Sequence, residues 1–178
     1  MHQQILKFWF EEINPSQWWS KDEQLDLLIA DRFSCIHSKA AQCELFEWRD
    51  TAEGRLAEII ILDQFSRNMF RDSPLSFAND SLALALAQEA ILFGTDKELN
   101  PVQRSALYLP FMHSESLKIH EAAMLLYKEN GLQSNLTFEI KHKEIIEKFG
   151  RYPHRNIALG RASTKEEIEF LKQEGAGF

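Results

Sequence analysis

Cysteine is scarce, since Cys35 and Cys43 are the only two among 178 residues. If both lie on one helix, their eight-residue separation places them about 12 Å apart along its axis. A disulfide requires Cα atoms within about 7 Å of each other. We therefore expect two reduced thiols, as is typical of a cytoplasmic protein.

Excess positive charge and long apolar runs are also lacking. The net charge is −7, whereas a nucleic-acid-binding domain usually carries a basic face, and anionic membranes likewise attract basic surfaces. No apolar run approaches the roughly 20 residues that span a bilayer. No segment joins a basic start, an apolar core and a small-residue cleavage site. We expect a cytoplasmic protein that binds neither nucleic acid nor membranes.

Patterns typical of strands are missing, whereas helical patterns are frequent. Leu25, Ile29 and Phe33, for example, recur at helical spacing and do not alternate with polar residues. A length of 178 residues fits one domain. We predict a single all-α domain over residues 1–178. It would have about seven or eight helices in antiparallel hairpins, arranged as a tetratricopeptide-like superhelix.

Several helix boundaries are marked by capping residues. Ser20 with Glu23 has the spacing of a capping box, and so does Ser163 with Glu166. Asn135 is predicted to cap another helix. Further start and stop signals are Asn100-Pro101 with Gln103, and the glycines Gly94, Gly131 and Gly150.

The segment from Leu56 to Arg71 is the centre of the predicted fold. Four consecutive apolar residues, Ile59 to Leu62, cover a whole helical turn, which indicates a helix buried on nearly every side. A polar stripe follows on one arc of this helix: Asp63, Gln64, Arg67, Asn68 and Arg71.

This polar stripe has two interpretations. It is either a buried ion-pair and amide network that ties neighbouring helices together, or the floor of a cleft. In the second case Arg67 and Arg71 would bind an anionic ligand, with Asp63 positioning Arg67 from one helical turn away. Loss of stability on mutation would not separate the two, because removing one partner of a buried pair costs about 3–5 kcal/mol in either case.

A second polar group lies in the predicted loop from Arg151 to Arg161, which contains no acidic residue. Planar guanidinium groups suit bidentate contact with carboxylate or phosphate. Alternatively, these arginines hold helix C-terminal carbonyls and acids on neighbouring helices. The candidate ligand-binding residues here are Arg151, Arg155, Asn156 and Arg161, with His154 as a candidate base.

A third group combines histidine with glutamate, at His113-Ser114-Glu115 and again at His120-Glu121. A histidine near a carboxylate is the minimum for acid–base chemistry. The spacing differs from the HExxH zinc helix, so we predict no metal and no cofactor. A helix-capping or network role for His113 and Glu115 is the alternative. His142 shares a helical stripe with apolar residues and is predicted to be a core histidine.

Several ungapped motifs together resemble one known family. They are GRLAEIIILDQFSRNMFR, LYLPFMHSE, HEAA and FGRYPHRNIALGRAST. The chain is similar to the bacterial domain of unknown function 924 family, whose members are classed as α-helical and tetratricopeptide-like. The resemblance implies that fold and brings no established activity. The polar positions that match the family are Asp63, Gln64, Arg67, Asn68, His113, Glu115, His120, Glu121, Arg151, Pro153, His154, Arg155, Asn156 and Arg161.

Three functional hypotheses follow. In the first, the polar groups converge on an arginine-lined cleft that binds an anionic small molecule or a peptide carboxylate, with Arg67, His113 and Arg155 within about 20 Å, two-thirds the length of a 20-residue helix. In the second, the protein is a hydrolase that uses His113 or His154 as base, Glu115 being a further catalytic candidate. In the third, the groups are structural, and partners bind elsewhere.

Overall fold

The computed structural model describes residues 1–173 and 175, so the last residues of the predicted domain, 174 and 176–178, lie outside it. Every regular element in the described range is helical, which confirms the all-α prediction. The α-helices are α1 (His2–Lys7), α2 (Glu23–Ala41), α3 (Ala52–Ile60), α4 (Ser66–Met69), α5 (Asp80–Leu92), α6 (Pro101–Leu107), α7 (Leu109–Met112), α8 (Leu117–Asn130), α9 (Gln133–Phe149) and α10 (Lys165–Phe170).

The central helix consists of α3 and α4, which are joined without a break by the π-helical turn Ile61–Phe65. It begins at Ala52, because the Thr51 side chain accepts a hydrogen bond from the amide of Gly54. Helices α1, α2, α5 and α6 pack around this unit. Residues 59–62 are at most 1% exposed, as their apolar run predicts.

The second half of the chain folds back onto this centre. Helix α6 continues through Tyr108 into α7, which packs on α5 and α8. Helices α8 and α9 pack closely together, and a link of two residues joins them. Gly131 in that link has φ +79°, a left-handed conformation that only glycine adopts at little cost. The tetratricopeptide-like superhelix stays a prediction.

The structure corrects the predicted start of α2. Asp22, not Ser20, caps this helix, and its carboxylate accepts from the amides of Gln24 and Leu25. Ser20 instead ends the 3₁₀ turn Pro15–Trp19. A charged acceptor next to the first free amides binds them more strongly than a hydroxyl two residues earlier.

Two further starts are displaced by one to three residues. The last capping box uses Thr164 with Glu167 in place of Ser163 with Glu166. Asn135 lies inside α9, which follows Leu132 and has no side-chain cap. The predicted cap at Asn100, with its return contact from Gln103, is confirmed.

Neither cysteine forms a disulfide, since Cys35 and Cys43 are both free and exposed. Among the helices of the described range, none combines the length and the apolar composition that crossing a lipid bilayer demands.

Gly54, in the first turn of α3, tests the packing of the central helix. A Cβ atom added there would overlap the carbonyl oxygen of Trp48. Alanine normally stabilises a helix by about 1 kcal/mol relative to glycine. Because of the overlap with Trp48, we expect Gly54→Ala to destabilise the protein instead. The free energy of unfolding, measured by urea denaturation, should fall by about 3 kcal/mol.

Gly131→Ala is the matched control, because an added Cβ meets no atom within 4 Å there and only the left-handed backbone is strained. A loss of about 1–2 kcal/mol is expected for that variant. Equal stability of Gly54→Ala and the parent protein would contradict the assigned packing.

Candidate functional site

A cleft of about 1030 Å³ opens beside the polar side of the central helix. Its lining comes from α4, the end of α7, α9 and the loop after α9. The 3₁₀ turn Pro15–Trp19 contributes Trp18 and Trp19 to the rim. The volume matches that of small-molecule sites. Predicted site residues that line it are Gln64, Arg67, Asn68, Arg71, His113, His154 and Arg155.

The π turn Ile61–Phe65 positions the first two residues of the polar stripe. Asp63 is 1% exposed and lies behind the cleft wall, whereas Gln64 reaches the cleft surface. The Gln64 amide donates to the Asp63 carboxylate. A π turn widens the helix locally and is found frequently at functional sites.

The Asp63 carboxylate contacts two side chains, the cationic Arg67 and the titratable His113. Its Oδ1 lies 3.1 Å from a guanidinium nitrogen of Arg67 and 2.8 Å from Nδ1 of His113. Burial alone would raise the pKa of Asp63, but the charge of Arg67 and the contact with His113 hold it below its ordinary value. Asp63 is therefore an ionised carboxylate in the core.

His113 is neutral and has a defined tautomer. Burial lowers its pKa, and the nearby charge of Arg67 lowers it further, against the opposing effect of Asp63. Because an ionised Asp63 can only accept, Nδ1 of His113 donates to it. Nε2 is then the ring atom able to take up a proton.

Asp80, at the start of α5, connects the central helix to the loop after α9. Its two oxygens accept from both terminal nitrogens of Arg67, at 2.9 and 3.0 Å. Arg155 reaches Asp80 at 3.2 Å and also donates to the backbone oxygen of His113 at 2.9 Å. Arg67, His113 and Arg155 thus belong to one bonded network.

Arg155 contacts two aromatic rings. Its guanidinium carbon lies 4.6 Å from the ring centres of Phe77 and of Tyr152. Arg67 lies 5.6 Å from the same Phe77 ring. Cation–π contacts of this kind are strongest when they are desolvated, and the Arg155 side chain is only 7% exposed.

Helix α2 holds the last two residues of the polar stripe, Asn68 and Arg71, in place. Asp26 accepts from Nε and one terminal nitrogen of Arg71, at 2.6 and 2.7 Å, and from the amide of Asn68 at 2.8 Å. The contact with Asp26 raises the pKa of Arg71. The Arg71 side chain keeps 29% exposure and faces the cleft.

The cleft is more basic than the chain as a whole. Its charged lining is Lys21, Arg67, Arg71, Lys141, Lys148 and Arg155, with Asp72 and Glu144. Asp26, Asp63 and Asp80 pair with the arginines from behind the lining. With Asp72 and Glu144 they make five carboxylates, against six cationic side chains. The whole chain, by comparison, has 20 lysines and arginines and 27 aspartates and glutamates.

The remaining predicted residues form a separate cluster outside the cleft. Arg161 makes a bidentate pair with Glu115, whose Oε1 also accepts from the backbone amide of Tyr152 at 2.8 Å. Arg151 makes a bidentate pair with Glu167 on α10, and Asn156 donates to the same carboxylate. These contacts fasten the loop after α9 to its neighbours.

Two other histidines occupy structural positions. His120 is fully buried, with Nδ1 2.7 Å from Glu139 and Nε2 donating to the backbone oxygen of Ser114. Glu121, next to it, is exposed. His142 donates from Nδ1 to the backbone oxygen of Phe138, and burial lowers its pKa to about 3, as for a core histidine.

Sequence reasoning missed three residues of the network, Asp26, Phe77 and Asp80. Asp26 lies in the first turn of α2 and Asp80 in that of α5, where acids are common for reasons of helix polarity alone. No local pattern distinguishes them. Among residues 1–173 and 175, no group of three or more His, Cys, Asp or Glu side chains is placed to hold a metal ion.

These features define an all-α protein whose buried polar network opens into a basic cleft. The chain belongs to the DUF924 family, described as bacterial protein of unknown function, whose model matches residues 5–175. The family resemblance seen in the sequence is thereby confirmed. No curated protein matches the chain at a significant level.

A solved structure shares this fold. It is the protein of unknown function ATU0120 from Agrobacterium tumefaciens, which is 38% identical to this chain. The similarity covers 96% of both chains with a TM-score of 0.90.

Asp63→Asn tests the energetic role of the buried carboxylate. We expect the free energy of unfolding at pH 7 to fall by about 3 kcal/mol, because Arg67 loses a buried counter-charge. A lowered pKa in the folded state stabilises the protein above the ordinary aspartate value of about 4, and this stabilisation is lost at lower pH. The difference between parent and variant should therefore stay constant down to about pH 5 and shrink as the pH falls below about 4, measured by urea denaturation.

Asp72→Asn is the control, since Asp72 pairs with Lys21 and its side chain is 82% exposed. Its effect should stay within about 0.5 kcal/mol at every pH. A pH-independent difference for Asp63→Asn would contradict the ionised state assigned to Asp63.

Proposed function

We propose that the cleft binds an anionic small molecule or a peptide carboxylate, through a carboxylate or phosphate group. The observation that carries the proposal is the presence of Arg67, Arg71 and Arg155 together in the lining of a cavity of about 1030 Å³. Lys141 and Lys148 on α9 line the same cavity. Such a site provides several cations for one anion.

The internal partners of the arginines support this role. A guanidinium carries five N–H donors in a rigid fork, and toward the residues that the structure describes Arg71 donates from Nε and one terminal nitrogen, both to Asp26. Aspartates behind the wall hold the arginines in place before a ligand arrives. Supporting contacts of this kind preorganise a binding site.

The remaining parts of the proposal concern location and partners. The two free cysteines favour the cytoplasm, where thiols stay reduced. The net charge of −7 favours small molecules or peptides over nucleic acid. We propose that Arg151, Asn156 and Arg161 act indirectly, by fastening the loop that carries Arg155.

Arg71→Gln tests anion binding with the fold retained, because Asp26 keeps the amide of Asn68 as a partner. Calorimetric titration would use inorganic phosphate, acetate, and one peptide with either a free or an amidated C-terminus. We expect the affinity for the bound anion to fall about 10-fold or more, as for the loss of a charged hydrogen bond. Lys148→Gln, on α9, should also weaken binding.

Arg32→Gln is the matched control, since Arg32 pairs with Glu12 and does not line the cleft. It should leave binding unchanged. Preference for the free over the amidated peptide would identify a peptide carboxylate, and binding of phosphate or acetate alone a small anion. Equal affinities of Arg71→Gln and Arg32→Gln would overturn the proposal in favour of a structural network.

A second candidate function is acid–base catalysis with His113 as the base. The supporting observation is the 2.8 Å contact between Asp63 and Nδ1 of His113, on the cleft wall. An oriented imidazole whose other nitrogen can take up a proton is the basis of general-base catalysis. His154 is a weaker candidate, because burial lowers its pKa to about 3.

A panel of carboxyl-ester and phosphate-ester substrates tests this candidate. If His113 is the base, His113→Ala should lower kcat by about 10²–10⁴-fold for any substrate that is turned over. His154→Ala, in the same cleft, is the control and should retain most of the rate. Turnover that survives His113→Ala, or a panel without turnover, would eliminate the assignment.

A further inference from the structure

A second cavity of about 350 Å³ adjoins the cleft. Its walls come from the aromatic residues near the N-terminus, the start of α6 and the start of α9. The apolar side chains include Trp9, Val102, Leu109 and Leu132. Within the described part of the chain, no charged residue lines it. This cavity is therefore suited to an uncharged, apolar group.

Three rings line both cavities: Trp18, Trp19 and Phe138. Trp18 is fixed, because its Nε1 donates to the backbone oxygen of Trp9 at 3.0 Å and its ring stacks on Trp9. Trp19 stacks on Phe138 with ring centres 6.1 Å apart and planes 14° from parallel. The Trp19–Phe138 pair stands at the boundary between the basic cleft and the apolar cavity.

The Trp19–Phe138 pair is open to solvent, at 56% and 42% exposure. Covering apolar surface of this kind with a ligand removes it from water and favours binding. Basic groups lie on one side of the pair and apolar walls on the other. A ligand that spans the boundary would satisfy both sides.

We infer that the ligand of this protein is an amphipathic carboxylate, whose charged head binds in the cleft and whose apolar part covers the Trp19–Phe138 pair and fills the second cavity. The inference rests on the proposed anion site and names its ligand class. The head group contacts the wall of Arg71 and Arg155, and the uncharged tail meets Val102 and Leu132.

A homologous series of straight-chain carboxylates tests the inference directly. Acetate, butyrate, hexanoate, octanoate and decanoate would be titrated calorimetrically below their micelle concentrations. We expect the affinity to rise about 4-fold for each added methylene, as for burial of one CH₂ group, and to level off once the second cavity is filled. Tryptophan fluorescence should change with the longer members only.

Val102→Glu identifies the cavity that holds the tail. Val102 is 44% exposed in the first turn of α6, so a glutamate is compatible with the fold there. It should abolish the dependence on chain length and leave acetate binding unchanged. Val102→Leu should retain the dependence. Leu27→Glu places the same charge on an exposed apolar site outside both cavities and should have no effect.

The outcomes separate this inference from the proposed function. If no carboxylate binds in a manner that depends on Arg71, the inference is refuted, and the anion site itself is refuted as well if inorganic phosphate also fails to bind through Arg71. If carboxylates bind through Arg71 but with equal affinity at every chain length, only the amphipathic ligand class is refuted. Chain-length dependence that persists in Val102→Glu, or that is independent of Arg71, would also overturn the inference.

Discussion

The desolvated carboxylate of Asp63 is the constraint on which the polar part of this structure depends. An ionised group removed from water costs several kcal/mol unless it is paired and hydrogen-bonded. Arg67, His113 and Gln64 supply that compensation from the central helix and from the end of α7. These elements must therefore be assembled together, since each one alone would leave an uncompensated buried charge.

A series of ion pairs extends outward from Asp63, with positive and negative side chains alternating. Asp80 balances Arg67 and Arg155, and Arg155 also holds the backbone of His113. Beyond them, the bidentate pairs of Arg161 with Glu115 and of Arg151 with Glu167 fasten the loop and α10. Stability and the geometry of the cleft consequently rely on the same contacts.

The sequence predicted the fold well, and the site in part, for reasons visible in particular residues. The central helix was identifiable because Ile59 to Leu62 are apolar on all sides. The stripe was identifiable because polar residues recurred at helical spacing, and spacing is a local property. The helix starts were predicted less accurately, because several hydroxyl, amide and carboxylate groups near each start can cap the helix.

Local spacing could not identify the ion-pair and aromatic partners that are distant in the sequence. Arg151 and Arg161 lie in a segment without acids, which made them candidate ligand residues. Their partners Glu167 and Glu115 are 16 and 46 residues away in the chain. Asp80 and Phe77 were likewise missed, because only the folded chain brings them to Arg155.

The π turn Ile61–Phe65 sets the angular phase of everything that follows it in the central helix. If the same residues were wound as regular α-helix, with no wide turn to take up the extra residue, the subsequent side chains would be rotated by about 100° about the helix axis. Arg67 would then face away from Asp80, and Arg71 away from Asp26. One wide turn thus separates a helix whose arginines meet their aspartates from a helix whose cations point in unrelated directions.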